Sequence, residues 1–383
     1  MNGKKWLTAF LLISALLLAF FASLIVYIDP FFHYHKPHTD KFYYRVHEQR
    51  NINNGIERLF DYDAMIIGSS MTENFRTSEL DKLFGTNSIK TSISGSSLYE
   101  ANSNIAIAIE NTPELKMVVR CLDRAMYFDD KDRIRTDLGV YPEYLYDNYY
   151  YNDVNYVFNR ELLFSSIYQM IMEQLKSTQE PGIFSFDDYS SWYQYRTLGP
   201  NVIYPDKSLD LSAKGSPIHI SGEEVQAVVE NIEQNVCSLA RENPQVEFYY
   251  YLPPYSAAWW QQLNESGEIY KYLEAERIVI EQILSCENIK LFSMSTNLDI
   301  TADLNNYDDR IHYGPWINSL ILIWMKEGEY LLTEDNYEVY LSDLEKLYTE
   351  FDYNSLLQQK DHSNDIPTIE KYEKLYGYTL GEY

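Results

Sequence analysis

Short apolar segments alternate with helical segments from residue 61 onwards, and this rhythm limits the fold more than any other feature of the sequence. The apolar runs 63–68, 88–93 and 117–122 each end in, or are followed by, glycine, serine or aspartate, as strands that close in a turn do. A helical spacing of apolar residues lies over 99–110. The alternation predicts an α/β fold with a parallel sheet and helices on both faces.

The rhythm breaks over 125–215, which is rich in tyrosine, aspartate and phenylalanine and shows weak periodicity. We interpret this stretch as an insertion or lid across one end of the sheet, with a helical piece near 161–175. The alternation then resumes, and the predicted elements are a helix at 222–242, a strand at 246–252, a helix at 270–284, a strand at 289–292 and a helix at 316–326. The sequence therefore predicts one α/β domain over 61–327.

The acidic segment 328–383 differs from the domain before it. Tyr340, Leu344, Leu347 and Phe351 keep a helical apolar spacing, which predicts an amphipathic helix followed by a tail. The polar and aromatic segment 31–60 is interpreted as a membrane-proximal stalk.

An uncharged apolar run extends from Trp6 to Ile28 and is long enough to span a bilayer, which needs about 20 residues. Lys4 and Lys5 precede it, which favours a cytoplasmic N-terminus and an extracytoplasmic C-terminal domain. The alternative is a cleaved signal peptide, whose apolar region is normally about 7–15 residues. The greater length favours a single-pass anchor over 1–30 and a location in the cell membrane.

Composition excludes several functions. A net charge of −26 argues against nucleic acid as a partner. Three cysteines form no disulfide framework, and no CxxC or HExxH pattern occurs, so we expect no metal and no cofactor. His33, His35 and His38 lie beside the membrane and are interpreted as an interfacial loop, with a metal site as the alternative. The 36 tyrosines suit half-buried surfaces and also stacking on sugars.

Two segments could carry chemistry, Gly68-Ser69-Ser70 after the first strand and Asp309-x-x-His312 before the last helix. Ligands of open α/β sheets bind at the carboxyl ends of the strands, where both segments are expected. A serine becomes a nucleophile when histidine takes its proton, and a carboxylate orients that histidine. We therefore predict Ser70 as nucleophile, His312 as base and Asp309 as its orienting partner.

The predicted helix after Ser70 would favour an oxyanion through its dipole, with the N–H groups of Ser70 and Gly95 as donors. Two alternatives stay open. Ser70 with Glu73 also fits a capping box, in which the serine is only a helix cap. Asp308 is an alternative orienting carboxylate for His312.

These segments resemble the sequence blocks of the SGNH/GDSL hydrolase superfamily. In that superfamily, the nucleophile is the serine of a Gly-Asp-Ser-like turn after the first strand, which matches Ser70, with Ser69 where aspartate is common. The glycine after the second strand matches Gly95, and the Asp-x-x-His block matches Asp309 and His312. The resemblance covers roughly 60–330 and implies a three-layer, flavodoxin-like parallel sheet.

The third block departs from that pattern. Where the superfamily usually has Gly-x-Asn-Asp, with the asparagine as an oxyanion donor, this chain has Cys121-Leu-Asp123-Arg124. An ionised Asp123 cannot donate a hydrogen bond, so Arg124 or another group would have to replace the donor. Asp123 and Arg124 are also candidates for binding substrate, or could instead form a structural ion pair at a strand end. Tyr255, at another strand end, is a candidate for lining the cleft or for a surface turn.

The chain also resembles membrane-anchored bacterial surface proteins with stretches like 29–37 and, more distantly, anchored proteins that move acyl groups onto teichoic acids or exopolysaccharides. The resemblance implies an extracytoplasmic serine esterase or O-acyltransferase, with a cell-surface glycan or an acyl donor as partner. The alternative is a catalytically idle SGNH-like protein that binds glycans or scaffolds envelope polymer assembly. The oligomeric state stays open.

Overall fold

The computed structural model describes residues 3–46, 48–137, 141–147, 149, 151–176, 180–362 and 374–378. The chain divides into two compact units. The first contains Met1–Phe60 and Thr136–Ser185, and the second contains Asp61–Arg135 and Phe186–Tyr383. The predicted division at residues 30, 60 and 327, with its insertion at 125–215, stays a prediction.

The first unit begins with the apolar helix predicted near the N-terminus. Its helices are α1 (Gly3–Ile28), α2 (Gln49–Leu59), α5 (Val154–Val157) and α6 (Tyr168–Leu175), and α6 continues a π-helical stretch at Leu162–Ile167. Its two short strands, β1 (Tyr43–Tyr44) and β5 (Gly182–Ile183), pair in parallel.

The second unit is built on a six-stranded sheet whose strands are β2 (Ala64–Ile67), β3 (Ser88–Lys90), β4 (Met117–Cys121), β6 (Glu247–Leu252), β7 (Ile289–Ser293) and β8 (Leu331–Leu332). The order across the sheet is β3-β2-β4-β6-β7-β8. Every pair is parallel except β7 with β8, which is antiparallel. The prediction of an α/β fold with a parallel sheet is therefore confirmed. The terminal antiparallel strand β8 lies in the acidic segment 328–383, for which only a helix and a tail were predicted.

The helices of this unit lie near the predicted positions 99–110, 222–242, 270–284, 316–326 and 340–351, and at further positions that were not predicted. They are α3 (Thr77–Phe84), α4 (Leu98–Asn111), α7 (Pro200–Ile203), α8 (Gly222–Ile232), α9 (Ser238–Glu242), α10 (Ala257–Ser266), α11 (Ile269–Leu284), α12 (Leu298–Thr301), α13 (Pro315–Glu327) and α14 (Tyr337–Glu350). A π-helical stretch at Glu233–Cys237 joins α8 to α9.

The central strands are buried along their whole length, which explains why they are mostly apolar. All four residues of β2 and all five of β4 are buried. A parallel sheet that is covered on both faces requires this pattern, because neither face of a strand meets water. The carboxyl ends of β2, β3, β4 and β6 therefore meet at one edge, and the candidate site lies there.

Helix α1 has the length and composition of a membrane-crossing segment, at about 1.5 Å rise per residue over 26 residues. Its long apolar side chains, such as Leu16 and Phe20, are exposed. These properties are compatible with a single-pass anchor or with a signal sequence.

Candidate active site

The turn after β2 carries two serines with different surroundings. Gly68 opens the turn at φ +148°, and a Cβ there would lie 2.9 Å from Thr72 and 3.1 Å from Cys121. Glycine is required because the turn passes so close to the neighbouring strand. Ser69 is buried and caps the next segment by accepting a hydrogen bond from the N–H of Met71.

The segment after Ser70 is a 3₁₀ turn of three residues, Ser70–Thr72, and α3 begins only at Thr77. The predicted helix at this point, with its dipole aimed at an oxyanion, is therefore wrong. A single 3₁₀ turn aligns too few peptide groups to make a macrodipole. The capping interpretation of Ser70 with Glu73 is also wrong, because the cap is Ser69.

The histidine lies on a closed loop between α12 and α13. The N–H of Asp308 donates to the carbonyl of His312 at 3.0 Å, and the N–H of Gly314 donates to the carbonyl of Asn306 at 2.9 Å. The Ser256 hydroxyl, after β6, donates to the carbonyl of Arg310 at 2.7 Å. These bonds fix the loop at the carboxyl edge of the sheet.

Ser70, His312 and Asp309 form one hydrogen-bonded chain. The Ser70 Oγ lies 2.7 Å from His312 Nε2, and His312 Nδ1 lies 2.7 Å from Asp309 Oδ2. The other carboxylate oxygen of Asp309 accepts from the N–H groups of Ile311 and His312, each at 2.8 Å. The structure thus brings together the three side chains singled out in the sequence, and Asp309 rather than Asp308 contacts the imidazole nitrogen.

The surroundings shift the pKa values of both ionisable residues in this hydrogen-bonded chain, His312 and Asp309. Burial disfavours the imidazolium of His312, but the hydrogen bond and charge of Asp309, with the charges of Asp308 and Asp123, outweigh burial and raise the His312 pKa above 6.5. Burial also opposes ionisation of Asp309, yet its hydrogen bonds from His312 and Ile311 hold the pKa of this carboxyl below its usual value. An ionised Asp309 therefore supports a proton on His312.

Asp123 follows β4 and belongs to a second, buried network. It accepts from the Ser69 hydroxyl and, at 2.6 Å, from the Tyr255 hydroxyl. Asp123 is 3% exposed and Tyr255 is 1% exposed, so the surface-turn interpretation of Tyr255 is wrong. Burial outweighs these hydrogen bonds and raises the pKa of Asp123.

Arg124 points away from Asp123, so these neighbours do not form the ion pair considered for them. Its guanidinium is bidentate with Glu276, at 2.5 Å and 2.9 Å, and also donates to the carbonyl of Pro253 at 2.6 Å. Neither side chain of the Arg124–Glu276 pair is exposed. A fully buried and paired guanidinium is not available to a ligand, which corrects the proposed substrate-binding role of Arg124.

A cavity of about 430 Å³ opens onto Ser70 and His312. It is lined by Ser69, Ser70, Met71, Glu73, Ser94, Gly95, Asp123, Ala125, Met126, Arg135, Trp192, Arg196, Tyr255, Asp308, Ile311 and His312. Arg135, Trp192 and Arg196 are among the lining residues that the sequence did not single out. They come from the segment without clear periodicity, where no local pattern marks them.

Trp192 packs directly on the serine–histidine pair. Its indole N–H donates to the carbonyl of Ser70 at 3.1 Å, and its ring meets the His312 ring edge-on at 5.5 Å. The Asn74 side chain holds the tryptophan in place by accepting from the Trp192 N–H at 3.2 Å. Trp192 therefore limits how far Ser70 and His312 can move apart.

Asp308, Asp309 and His312 carry potential ligand atoms within 4.8 Å of one another, so this group could also hold a cation. The imidazole, however, has Asp309 on Nδ1 and Ser70 on Nε2. A metal would have to displace one of these hydrogen bonds. The arrangement fits a proton relay better than a metal site.

Comparisons with known proteins do not place this chain in a family. No protein-family model matches the chain. No curated protein matches its sequence. Among solved structures, a Streptococcus pneumonia protein described as a suspected platelet activating factor is similar at 11% identity and a TM-score of 0.37, over 73% of this chain and 90% of that chain.

Proposed function

We propose that this protein is a serine esterase or O-acyltransferase that works through a covalent acyl-enzyme. The observation that carries the proposal is the continuous chain from Ser70 Oγ through His312 to Asp309, with both heavy-atom distances at 2.7 Å. Distances of about 2.6–3.2 Å are those at which a base can take the proton of a nucleophile. The adjacent cavity gives an ester access to the serine.

The proposed reaction has two halves. In the first, Ser70 Oγ attacks the acyl carbonyl carbon while His312 Nε2 takes the hydroxyl proton. The tetrahedral intermediate then collapses, and His312 returns that proton to the departing alcohol oxygen. In the second half, His312 deprotonates water or a sugar hydroxyl, which attacks the acyl carbonyl carbon. The bond from that carbon to Ser70 Oγ then breaks, and His312 gives the proton to Oγ, so that the Ser70 hydroxyl is restored. Water makes the protein an esterase, and a sugar hydroxyl makes it a transferase.

Asp309 has a supporting role in this scheme. It holds the His312 proton on Nδ1, so that Nε2 is free to accept from Ser70, and it stabilises the imidazolium that forms. The tautomer follows from the two partners of the ring.

The fold proposed for the second unit is the three-layer, flavodoxin-like arrangement of SGNH hydrolases. Leaving the β8 edge aside, the strand order corresponds to 2-1-3-4-5, which is the flavodoxin-like order. Ser70 follows the first of these strands, and Asp309 and His312 precede α13, as the resemblance requires.

We further propose a place and a substrate. With the apolar run Trp6–Ile28 as an uncleaved anchor and Lys4 and Lys5 on its cytoplasmic side, the site would lie outside the cell. The ester-linked acyl groups of cell-surface glycans are then the substrates within reach. Trp192 is half-buried and lines the cavity, and Tyr195, three residues further on, is exposed; aromatic rings of this kind pack on sugars.

An active-site-directed fluorophosphonate tests the nucleophile on the full chain in detergent. Wild-type protein is expected to be labelled, and Ser70→Ala is expected to be unlabelled. Ser342→Ala serves as a control, because Ser342 is exposed on α14 and does not line the cavity. Absent labelling of the wild type, or labelling that persists in Ser70→Ala, contradicts a serine mechanism.

Partition of the acyl group separates the two enzymatic outcomes. An O-acetylated glycan incubated with the wild type should release acetate into water or pass it to added acceptor sugar, and both should stop in Ser70→Ala. The ratio of the products assigns the esterase or the transferase.

The catalytically idle glycan-binding protein is the second candidate, and Asp123 is the observation that favours it. At this strand end the protein has a carboxylate engaged with Ser69 and Tyr255 instead of an amide donor. Glycan binding that is unchanged in Ser70→Ala and His312→Ala, with no acyl release by the wild type, would establish this alternative.

A further inference from the structure

The proposed oxyanion site lacks the side-chain donor that would normally follow the third sheet strand. Asp123 occupies this place, and its two carboxylate oxygens accept from Ser69 and Tyr255. Arg124 is buried against Glu276 and does not line the cavity. If Ser70 is acylated as proposed, the negative charge that develops on the carbonyl oxygen needs a donor from elsewhere in the chain.

Within the described residues, the cavity lining holds two guanidinium groups, those of Arg135 and Arg196. Their neighbours differ. Arg196 reaches Asp308, with 3.5 Å between its Nε and the carboxylate Oδ2, and Asp308 is bonded through its N–H to the carbonyl of His312. Arg196 therefore belongs to the side of the base.

Arg135 lies instead against Gly95, the residue whose N–H was predicted to face the oxyanion. A Cβ at position 95 would overlap the Arg135 guanidinium, with Nη1 as its nearest neighbour. Gly95 has φ +60°, so glycine serves both the backbone conformation and the close approach of the arginine. Ser94, Gly95 and Arg135 line the cavity together with Ser70.

We propose that Arg135 is the oxyanion donor of this site, taking the place of the missing amide. This inference rests on the proposed function. When Ser70 Oγ bonds to the carbonyl carbon, the π electrons of the carbonyl move onto its oxygen, and that O⁻ lies between the Gly95 N–H and the Arg135 guanidinium. Arginine stays charged throughout and offers several N–H donors, so it stabilises the oxyanion without a proton transfer.

The substitution Arg135→Ala tests this role with two substrates, a neutral ester such as p-nitrophenyl acetate and an anionic one such as the p-nitrophenyl hemiester of succinate. The kcat for both esters should fall by about 10²–10³-fold, the usual loss for one oxyanion donor. Arg133→Ala is the matched control, because Arg133 is two residues away, pairs with Asp129 and does not line the cavity. Its kcat should equal that of the wild type.

Rescue separates chemistry from folding. Guanidinium chloride at a non-denaturing concentration should restore part of the kcat of Arg135→Ala, and Arg135→Lys should retain more activity than Arg135→Met. If Arg135→Ala does not fold, the comparison of Arg135→Lys with Arg135→Met still decides the matter. Equal kcat values in that pair would overturn the proposal.

Two further results would also overturn it. One is an unchanged kcat in Arg135→Ala. The other is a loss confined to the KM of the anionic ester, which would make Arg135 a reader of substrate charge. Failure of the proposed function looks different, because the wild type would then show neither ester turnover nor fluorophosphonate labelling of Ser70.

Discussion

Ser69 and Ser70 are adjacent in the chain but face opposite kinds of partner. Ser70 is half-buried at the cavity and lies 2.7 Å from an imidazole that can take its proton. Ser69 is 4% exposed and donates to Asp123, whose raised pKa reflects burial. An imidazole that accepts a proton beside a cavity supports chemistry, whereas a buried carboxylate that is already hydrogen-bonded supports structure. One peptide bond therefore separates a candidate nucleophile from a residue that holds its turn.

The largest expected difference between the two serines is in reactivity. Ser70→Ala should lower kcat by about 10⁵–10⁶-fold, because the nucleophile is lost. Ser69→Ala should keep the fluorophosphonate reaction but lose about 1–3 kcal/mol of stability, because Asp123 loses a buried donor. Ester turnover and urea unfolding of both variants check this. Comparable loss of turnover in both would erase the distinction between them.

Asp309→Asn should lower kcat by about 10⁴-fold, because an amide no longer fixes the imidazole tautomer. It should also change the pH profile. The wild-type rate should rise with pH through a pKa above 6.5, since the base must be neutral and Asp309 raises the pKa of His312. The residual rate of Asp309→Asn should also rise with pH, but the rise should occur at a lower pH than in the wild type. Asp308→Asn provides the control, and a larger loss there than in Asp309→Asn would reverse their roles.

Trp192→Ala should have a smaller effect, about tenfold on kcat/KM, which corresponds to about 1.4 kcal/mol. The change removes both the hydrogen bond to the Ser70 carbonyl and the edge-on contact with His312. Trp192→Phe keeps a ring but loses the N–H donor, so its kcat/KM should lie between those of the wild type and Trp192→Ala. If Trp192→Ala matches the wild type, the ring does not position the pair.

The smallest expected effect concerns Asp123 and pH. Burial raises the pKa of Asp123, so the folded chain holds this proton to a higher pH than the unfolded chain does. The resulting stabilisation is fully present below the unfolded pKa, about 3.9, and is lost as the pH rises through the folded pKa. Asp123→Asn cannot titrate and should lack this loss.

Urea unfolding at pH 4.5 and 7.5 measures that difference. The wild type should lose stability relative to Asp123→Asn between the two pH values, and the exposed-site variant Asp343→Asn should track the wild type. If the free energy of unfolding of the wild type instead rises relative to that of Asp123→Asn between pH 4.5 and 7.5, Asp123 is a stabilising carboxylate.

The strands and site residues that could be predicted from the sequence are those marked by short-range patterns. The apolar runs of β2 and β4 mark buried parallel strands, and the spacing of Asp309 and His312 places both on one loop. Ser70 could be singled out because it follows a strand. Two predictions from the same pattern were wrong. A 3₁₀ turn follows Ser69 where a helix was expected, and Ser69, not Ser70, is the N-cap residue.

The remaining features depend on contacts between residues that are distant in sequence. Arg124 pairs with Glu276, which lies 152 residues further along the chain, so no short-range sequence pattern predicts the pair. Trp192 and Arg135 reach the cavity from a segment without periodicity. The strand β8 has only two residues, too few for an alternating pattern, and forms through its pairing with β7.

Peptide mapping of the fluorophosphonate adduct tests the central claim most directly. Wild-type protein is labelled in detergent, digested, and the modified residue is located by tandem mass spectrometry. A single adduct on the Oγ of Ser70 is expected, and no adduct in His312→Ala at matched exposure times. An adduct on Ser69, an adduct elsewhere in the chain, or no adduct on the wild type would contradict it.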